Sequence, residues 1–189
     1  MRLDTLKHIA ASVLTMSEAE RLVVFGSTSL LPSFPEVGSD HGGPLAKTFD
    51  VDLIPYPFVD ELGIMLHDTF GKDRPFHTHF GYYADIIRPI VTEQFPEGWQ
   101  TRLVPLPGVP NAFCLEPHDM AAAKCQAGRP KDIELLSYLF RTNRLDPEVA
   151  KQRLTQVAMR EAMIVKAHRV LRQSVEASCQ QDDGEQAMD

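Results

Sequence analysis

Two aspartates alternate with apolar residues in Thr48-Phe49-Asp50-Val51-Asp52-Leu53-Ile54. Period-two strand geometry sends Asp50 and Asp52 to one face. Carboxylates two residues apart on one strand suit a shared hard cation such as Mg²⁺, which in turn binds substrate phosphates. The same alternation also describes a half-buried strand with a polar outer face, so the surrounding residues must decide. Upstream, Leu22-Val23-Val24-Phe25 runs directly into Gly26-Ser27-Thr28-Ser29. Glycine there lets backbone approach a ligand closely, and the hydroxyls and amides opening the next turn offer donors to phosphate oxygens. An ordinary strand-to-helix turn would use the same residues. Downstream, Asp85 stands among apolar neighbours in Tyr82-Tyr83-Ala84-Asp85-Ile86-Ile87. A bare carboxylate at the end of an interior strand is costly unless a metal or donor compensates it, which makes Asp85 a candidate third ligand. Asp73 is the fallback, although its Gly-Lys-Asp-Arg-Pro setting reads as a surface turn. His77 and His79 would share a strand face and carry zinc-binding nitrogens, but two histidines without a third nearby ligand are more often structural.

The elements that must position these groups follow from periodicity. Leu3, Leu6, Ile9, Ala10, Val13 and Leu14 recur at helical spacing and predict an amphipathic helix ending before Ser17. Ser17 with Glu20 suggests a capping box for a brief second turn. Leu22–Phe25 reads as a short buried strand. Pro32 to Lys47, rich in Pro, Gly and Ser, is expected to be an extended surface loop, with His41 solvated inside it. After Asp52 the chain is expected to turn at Pro55-Tyr56-Pro57, and Val59 to Phe70 to form a helix closed by Gly71. Phe76–Ile87, Trp99–Val104 and Asn111–Leu115 read as strands. From Pro117 the pattern turns helical, over Pro117–Ala127, Pro130–Thr142 and Pro147 towards Val175, each with proline at its start and Asp146 capping the third. The last dozen residues read as a frayed tail.

Composition narrows the class. With 189 residues, 43% hydrophobic and 24% charged, the chain fits a well-cored globular protein. The formal charge is -7, but Glu176, Asp182, Asp183, Glu185 and Asp189 follow the last basic residue, Arg172. Without those five acids the body carries about -2. A near-neutral body argues against a large sequence-independent nucleic-acid surface and leaves room for a small local one. Cys114, Cys125 and Cys179 form no C-x-x-C pair and are odd in number, which fits a reducing compartment and buried thiols. No signal-peptide pattern and no membrane-length apolar run is visible, so the expectation is a cytoplasmic protein without a membrane partner.

A strand ending in Gly26-Ser27, a second carrying Asp50-x-Asp52 and a later one carrying Asp85 together resemble the polymerase-β type of nucleotidyltransferase fold. The segment Cys114-Leu115-Glu116-Pro117-His118-Asp119-Met120-Ala121-Ala122-Ala123-Lys124, followed by Ala127-Gly128-Arg129-Pro130-Lys131-Asp132, resembles small bacterial nucleotidyltransferase-like proteins of the DUF6036 and AbiEii-toxin group. The Gly98-Trp99-x-x-Arg102 element is similar to that group as well. The resemblance spans about Leu22 to Leu139. It implies an α+β class, a minimal mixed β-sheet flanked by helices with a C-terminal helical bundle. The expected division is a core over residues 1–116, a helical region over 117–178 packed on it, and an acidic tail over 179–189. It implies Mg²⁺ or Mn²⁺, a nucleoside triphosphate substrate, and transfer of a nucleotidyl group to a hydroxyl. Carried over, Gly26 and Ser27 would hold the triphosphate, and Asp50, Asp52 and Asp85 would ligate metal. Asp85 would also help activate the attacking hydroxyl, and Lys124 would neutralise the β and γ phosphates. Arg129 and Asp132 would contact substrate or form a salt bridge between helices. The 23 residues separating Gly26 from Asp50 exceed the compact spacing of that fold.

The expected function is therefore a metal-dependent nucleotidyltransferase acting on an RNA end or a protein hydroxyl, with a role as the toxin of a toxin–antitoxin pair, opposed by a cognate antitoxin, as its biological expectation. The alternative is a catalytically inactive module of the same fold that binds nucleotide or a protein partner. A phosphodiesterase using water as nucleophile is a third reading.

Overall fold

The computed structural model describes residues 1–38 and 42–185, with side chains described to residue 180. His41 and residues 186–189 lie outside the described residues. The chain divides into two compact units, residues 1–92 with 100–116, and residues 93–99 with 117 onward.

The first unit is built on a five-stranded mixed sheet. Helix α1 (Leu3–Ser17) buries Leu6, Ile9, Ala10 and Val13, the stripe that its spacing predicts. It stops at Glu18, which takes a left-handed conformation (φ 51°), and Ser17 Oγ accepts from the Ala19 N–H. No second helical turn forms, because the chain passes straight into strand β1 (Arg21–Phe25), whose central Leu-Val-Val is fully buried. Strand β2 (Asp50–Tyr56) runs antiparallel to β1, pairing Phe25 with Asp52 and Leu22 with Pro55. It therefore carries on past the expected turn. Proline is tolerated at 55 because the β3 pairing of this strand ends at Leu53, so no neighbour on that side needs its missing N–H. Strand β3 (Tyr83–Ile86) lies parallel to β2 at the sheet edge. On the other side of β1 come β5 (Ala112–Cys114), parallel, and β4 (Val104–Pro105), antiparallel to β5.

Three further expectations are corrected before Pro117. The described parts of the Pro32–Lys47 segment are anchored rather than extended: they hold a 3₁₀ turn at Pro35–Gly38 and bury Val37 and Leu45. Phe76 does not begin a strand. After helix α2 (Asp60–Phe70), the chain forms helix α3 (Pro75–Phe80), with proline at its first turn and Gly81 closing it at φ +79°. Phe76 and Phe80, one turn apart, stack with ring centroids 4.6 Å apart in a cluster with Phe70, Tyr82 and His8. Tertiary aromatic packing thus decides for helix where the β-prone composition suggested strand. Finally, Trp99–Arg102 is a 3₁₀ turn. Trp99 is buried edge-on against Phe95, which fixes a compact turn in place of an extended run.

The second unit is helical. Helix α4 (Pro117–Ala127) presents a nearly all-buried surface, and α5 (Pro130–Arg141) buries Leu135, Leu136, Leu139 and Phe140. The expected third helix is two: α6 (Pro147–Thr155) and α7 (Glu161–Glu185). The break has a tertiary cause, since the Gln156 carbonyl accepts the Glu97 N–H and Val157 turns into the core. Asp146 caps α6 as expected, its Oδ1 accepting the Glu148 N–H at 2.8 Å. Helix α7 continues to Glu185, through part of the stretch expected to fray. Among the described residues, no helix is long and apolar enough to cross a membrane.

Candidate functional site

Backbone register brings the three predicted carboxylates of the sheet unit together. In the parallel pair β2–β3, Asp52 stands opposite Asp85 and Asp50 opposite Tyr83. Paired residues share a face, so Asp50, Asp52, Asp85 and Tyr83 occupy one side of the sheet while Val51, Leu53 and Ala84 are buried on the other. Neighbouring strands lie about 4.8 Å apart and residues two apart on a strand about 6.6 Å, so all three carboxylates fall within one small patch.

Gly26 completes the patch from the β1 side. It follows Phe25, the β1 partner of Asp52, with φ +69° and ψ -162°, a region open essentially to glycine alone. A Cβ at this position would lie 2.2 Å from Asp52 Oδ2. The carboxylate of Asp52 therefore rests against bare backbone, and glycine is required there on two separate grounds. The Gly26 carbonyl is tied down by Ser29, which donates to it through both its amide (3.3 Å) and Oγ (2.8 Å). Ser27 opens a 3₁₀ turn of only four residues, Ser27–Leu30, and is half-buried.

The electrostatics of the patch are those of crowded negative charge. Burial raises the Asp85 carboxyl above its ordinary range, and the Asp50 charge raises it further, while His67 and Lys72 act in the opposite direction. Tyr83 is likewise raised, by burial and then by Asp50, Asp85 and Asp52, and so keeps its phenol proton. Hard oxygen donors gathered on one face fit a divalent cation by chemistry. As they stand they do not converge: among the described residues, no group of three or more His, Cys, Asp and Glu side chains is close enough to hold a metal ion.

The remaining predicted residues meet one another in the second unit. Lys124 is buried, its Nζ 3.1 Å from Asp132 Oδ1, and Asp132 is 1% exposed. Arg129 donates to Asp132 Oδ2 through its backbone amide (3.2 Å) and through Nε (2.8 Å), forming the cap of α5. Burial alone would raise the Asp132 carboxyl, but the Arg129 hydrogen bond and the Lys124 charge outweigh it and hold it below the usual range. The Arg129–Asp132 pair caps a single helix, and it is Lys124 that ties α4 to α5. The motif aspartate Asp119 is similarly internal, fully buried with Oδ1 3.0 Å from Arg153 Nε of α6. Much of the Ala-Gly-Arg-x-Lys-Asp signal thus has an architectural account within its own unit.

Some candidates fall away. His77 and His79 lie on α3, not on a strand, and two positions apart on a helix they do not share a face. His77 Nδ1 accepts the Asp73 amide at 3.0 Å, and Asp73 itself occupies an exposed turn at φ +59°. Cys114 and Cys125 are buried with raised thiols, that of Cys125 pushed up to about 12 by burial and then by Asp132, which keeps them unreactive. Sequence reasoning missed Tyr83, Lys72 and Lys47. Strand register brings Tyr83, and chain folding Lys72, beside the aspartates, while Lys47 stands three residues before Asp50, and no motif marks any of them.

Comparison with known proteins places these features in context. A family model described as "Nucleotidyltransferase of unknown function (DUF6036)" matches residues 1–177. No curated protein and no solved structure matches the chain.

Proposed function

The chain belongs to that DUF6036 family of nucleotidyltransferases, and on that premise we propose that it transfers a nucleoside monophosphate from a nucleoside triphosphate to a hydroxyl acceptor, with Mg²⁺ or Mn²⁺ held by Asp50, Asp52 and Asp85. The observation that carries this reading is the seating of Asp52 against the bare backbone of Gly26, with Asp85 across the strand pair on the same face. A bound cation would supply charge neutralisation at the transferring phosphorus.

The residues of the chain supply the rest. Gly26 offers close backbone approach beside Asp52, and Ser27 a half-buried hydroxyl next to it. In the transfer, the bond from the acceptor oxygen to the α-phosphorus forms as the bond from that phosphorus to pyrophosphate breaks. The hydroxyl proton passes to an Asp85 carboxylate oxygen, and pyrophosphate leaves. Lys124 is written out of this scheme, since its ammonium is committed to buried Asp132. The same reading extends to a toxin role with a cognate antitoxin, for which growth arrest on expression, abolished by Asp52→Asn, is the expected sign.

The test is thermal unfolding with ATP, GTP, CTP or UTP, with and without Mg²⁺, for the natural chain and for Asp52→Asn. Ligand at about 100 times its dissociation constant adds roughly 2.7 kcal/mol, a shift of about 5–10 °C for a protein of this size. A shift that needs Mg²⁺ and Asp52, together with label transfer to an acceptor, supports the reading. The commitment of Lys124 to buried Asp132 favours a second reading, a binding module without chemistry. Nucleotide binding that persists in Asp52→Asn, with no label transferred, would select it.

A further inference from the structure

An open cleft of about 370 Å³ has Asp50 in its lining. Lys47 and Phe49 border it from the segment entering β2, Lys72 and His77 from the α2–α3 region, and Tyr83 from β3. Of the groups on the carboxylate face, Asp50 and Tyr83 line it, whereas Gly26, Ser27, Asp52 and Asp85 do not. The cleft therefore lies on the β3 side of Asp50, across β2 from the strand that leads into the glycine.

Its chemistry is specific. Two exposed ammonium groups, Lys47 and Lys72, stand beside two aromatic rings, with Asp50 in the same lining. Phe49 keeps 55% of its surface in solvent, so its ring is open to stack on a ligand. Tyr83 is held by His77, which shares the lining, with ring centroids 5.0 Å apart and an edge-to-face arrangement. Cations for a phosphate together with an exposed ring for a base are how proteins hold single nucleotides without reading sequence. The volume lies at the lower end of small-molecule sites and suits one such unit. In-line displacement needs the acceptor oxygen on the side opposite the departing pyrophosphate.

We propose that this cleft is the acceptor subsite and that the acceptor is a nucleotide unit: its phosphate on Lys47 and Lys72, its base on Phe49, its hydroxyl directed to the Asp50 end. The inference rests on the transferase reading for the cleft's role and on the cleft alone for its ligand. A terminal nucleotide of a single strand and a free mononucleotide share this chemistry. The near-neutral body accords with so small a contact, since no wider basic surface is required.

The test uses the full chain without metal or triphosphate. Binding of the four nucleoside 5′-monophosphates and of a fluorescent single-stranded RNA trinucleotide with a free 3′ hydroxyl is measured by competition and polarisation at low salt. Comparison variants are Lys47→Gln/Lys72→Gln and Phe49→Ala, at exposed positions whose substitution leaves the fold intact. The expected result is binding that weakens at least tenfold in each variant. Tight trinucleotide binding with weak monophosphate binding identifies a strand end, and equal binding identifies a free nucleotide. No binding of either ligand, or binding unchanged in both variants, overturns the proposal. Mg²⁺-triphosphate protection against thermal unfolding, measured in parallel, separates the two readings. If it persists in the lysine variant while acceptor binding is absent, only the cleft assignment falls. If it is itself lost in that variant, the cleft holds the triphosphate and the acceptor assignment is again overturned. If triphosphate protects no form of the protein, the transferase reading fails, while nucleotide binding in the cleft is still judged on its own variants.

Discussion

Replacing Gly26 by alanine probes the contact on which the site is built. Two costs arise. The φ +69°, ψ -162° backbone is essentially reserved for glycine, and a side chain there costs about 1–3 kcal/mol. The new Cβ would stand 2.2 Å from Asp52 Oδ2, where real contacts do not fall below 3.0 Å, so the carboxylate must retreat by about 0.8 Å. Moving a short side chain off its rotamer costs roughly 0.5–1.5 kcal/mol. The expected loss is about 2–4 kcal/mol, a fall in midpoint of about 5–15 °C. Gly81→Ala serves as the control, because Gly81 has φ +79° but open space around the added Cβ, so only the left-handed backbone cost of about 1–2 kcal/mol applies. A double-mutant cycle with Asp52→Ala, read by urea denaturation and circular dichroism, isolates the contact. Removing the carboxylate should relieve Gly26→Ala by about 1 kcal/mol and leave Gly81→Ala untouched. If Gly26→Ala and Asp52→Ala add within about 0.3 kcal/mol, glycine is present for its backbone alone and the seating of Asp52 has been misread.

Other consequences are equally direct. Asp85→Asn should stabilise the metal-free protein at pH 7 by up to about 1 kcal/mol, as removal of functional-site strain commonly does. The sign follows from the raised carboxyl: below its ordinary 3.8 the group is protonated in both states, and as pH rises through that value towards the raised one stability is lost. Denaturant midpoints of the two forms should therefore converge in acid, and a less stable variant at pH 7 would contradict the crowding argument. Asp132 has the opposite sign. Its lowered carboxyl contributes stability above 3.8 that disappears as pH falls below it, so Asp132→Asn should flatten the acid limb of an unfolding-versus-pH curve. Lys124→Met leaves that buried carboxylate with Arg129 alone and should cost about 3 kcal/mol in urea denaturation. Asp146→Ala removes the α6 cap, for a loss of about 1 kcal/mol by the same measurement.

The sequence by itself determined what local periodicity and local chemistry decide. Alternation put Asp50 and Asp52 on one strand face, helical spacing marked the buried stripe of α1, and proline at the first turn located α4, α5 and α6. These features depend on neighbours within a turn or a pleat, and so they can be read in one dimension. Tertiary structure decided whatever depended on residues far apart in the chain. Asp85 joins the patch only because parallel register sets it opposite Asp52, and a slip of one residue would turn it to the other face. Phe76 and Phe80 become helical because Phe70, Tyr82 and His8 gather around them. Lys124, which as a motif residue looks like a phosphate ligand, is instead committed to a buried carboxylate eight positions on. The seating of Asp52 on Gly26, with 25 residues of chain between them, is likewise decided by strand pairing, the one device that brings such distant backbone within contact.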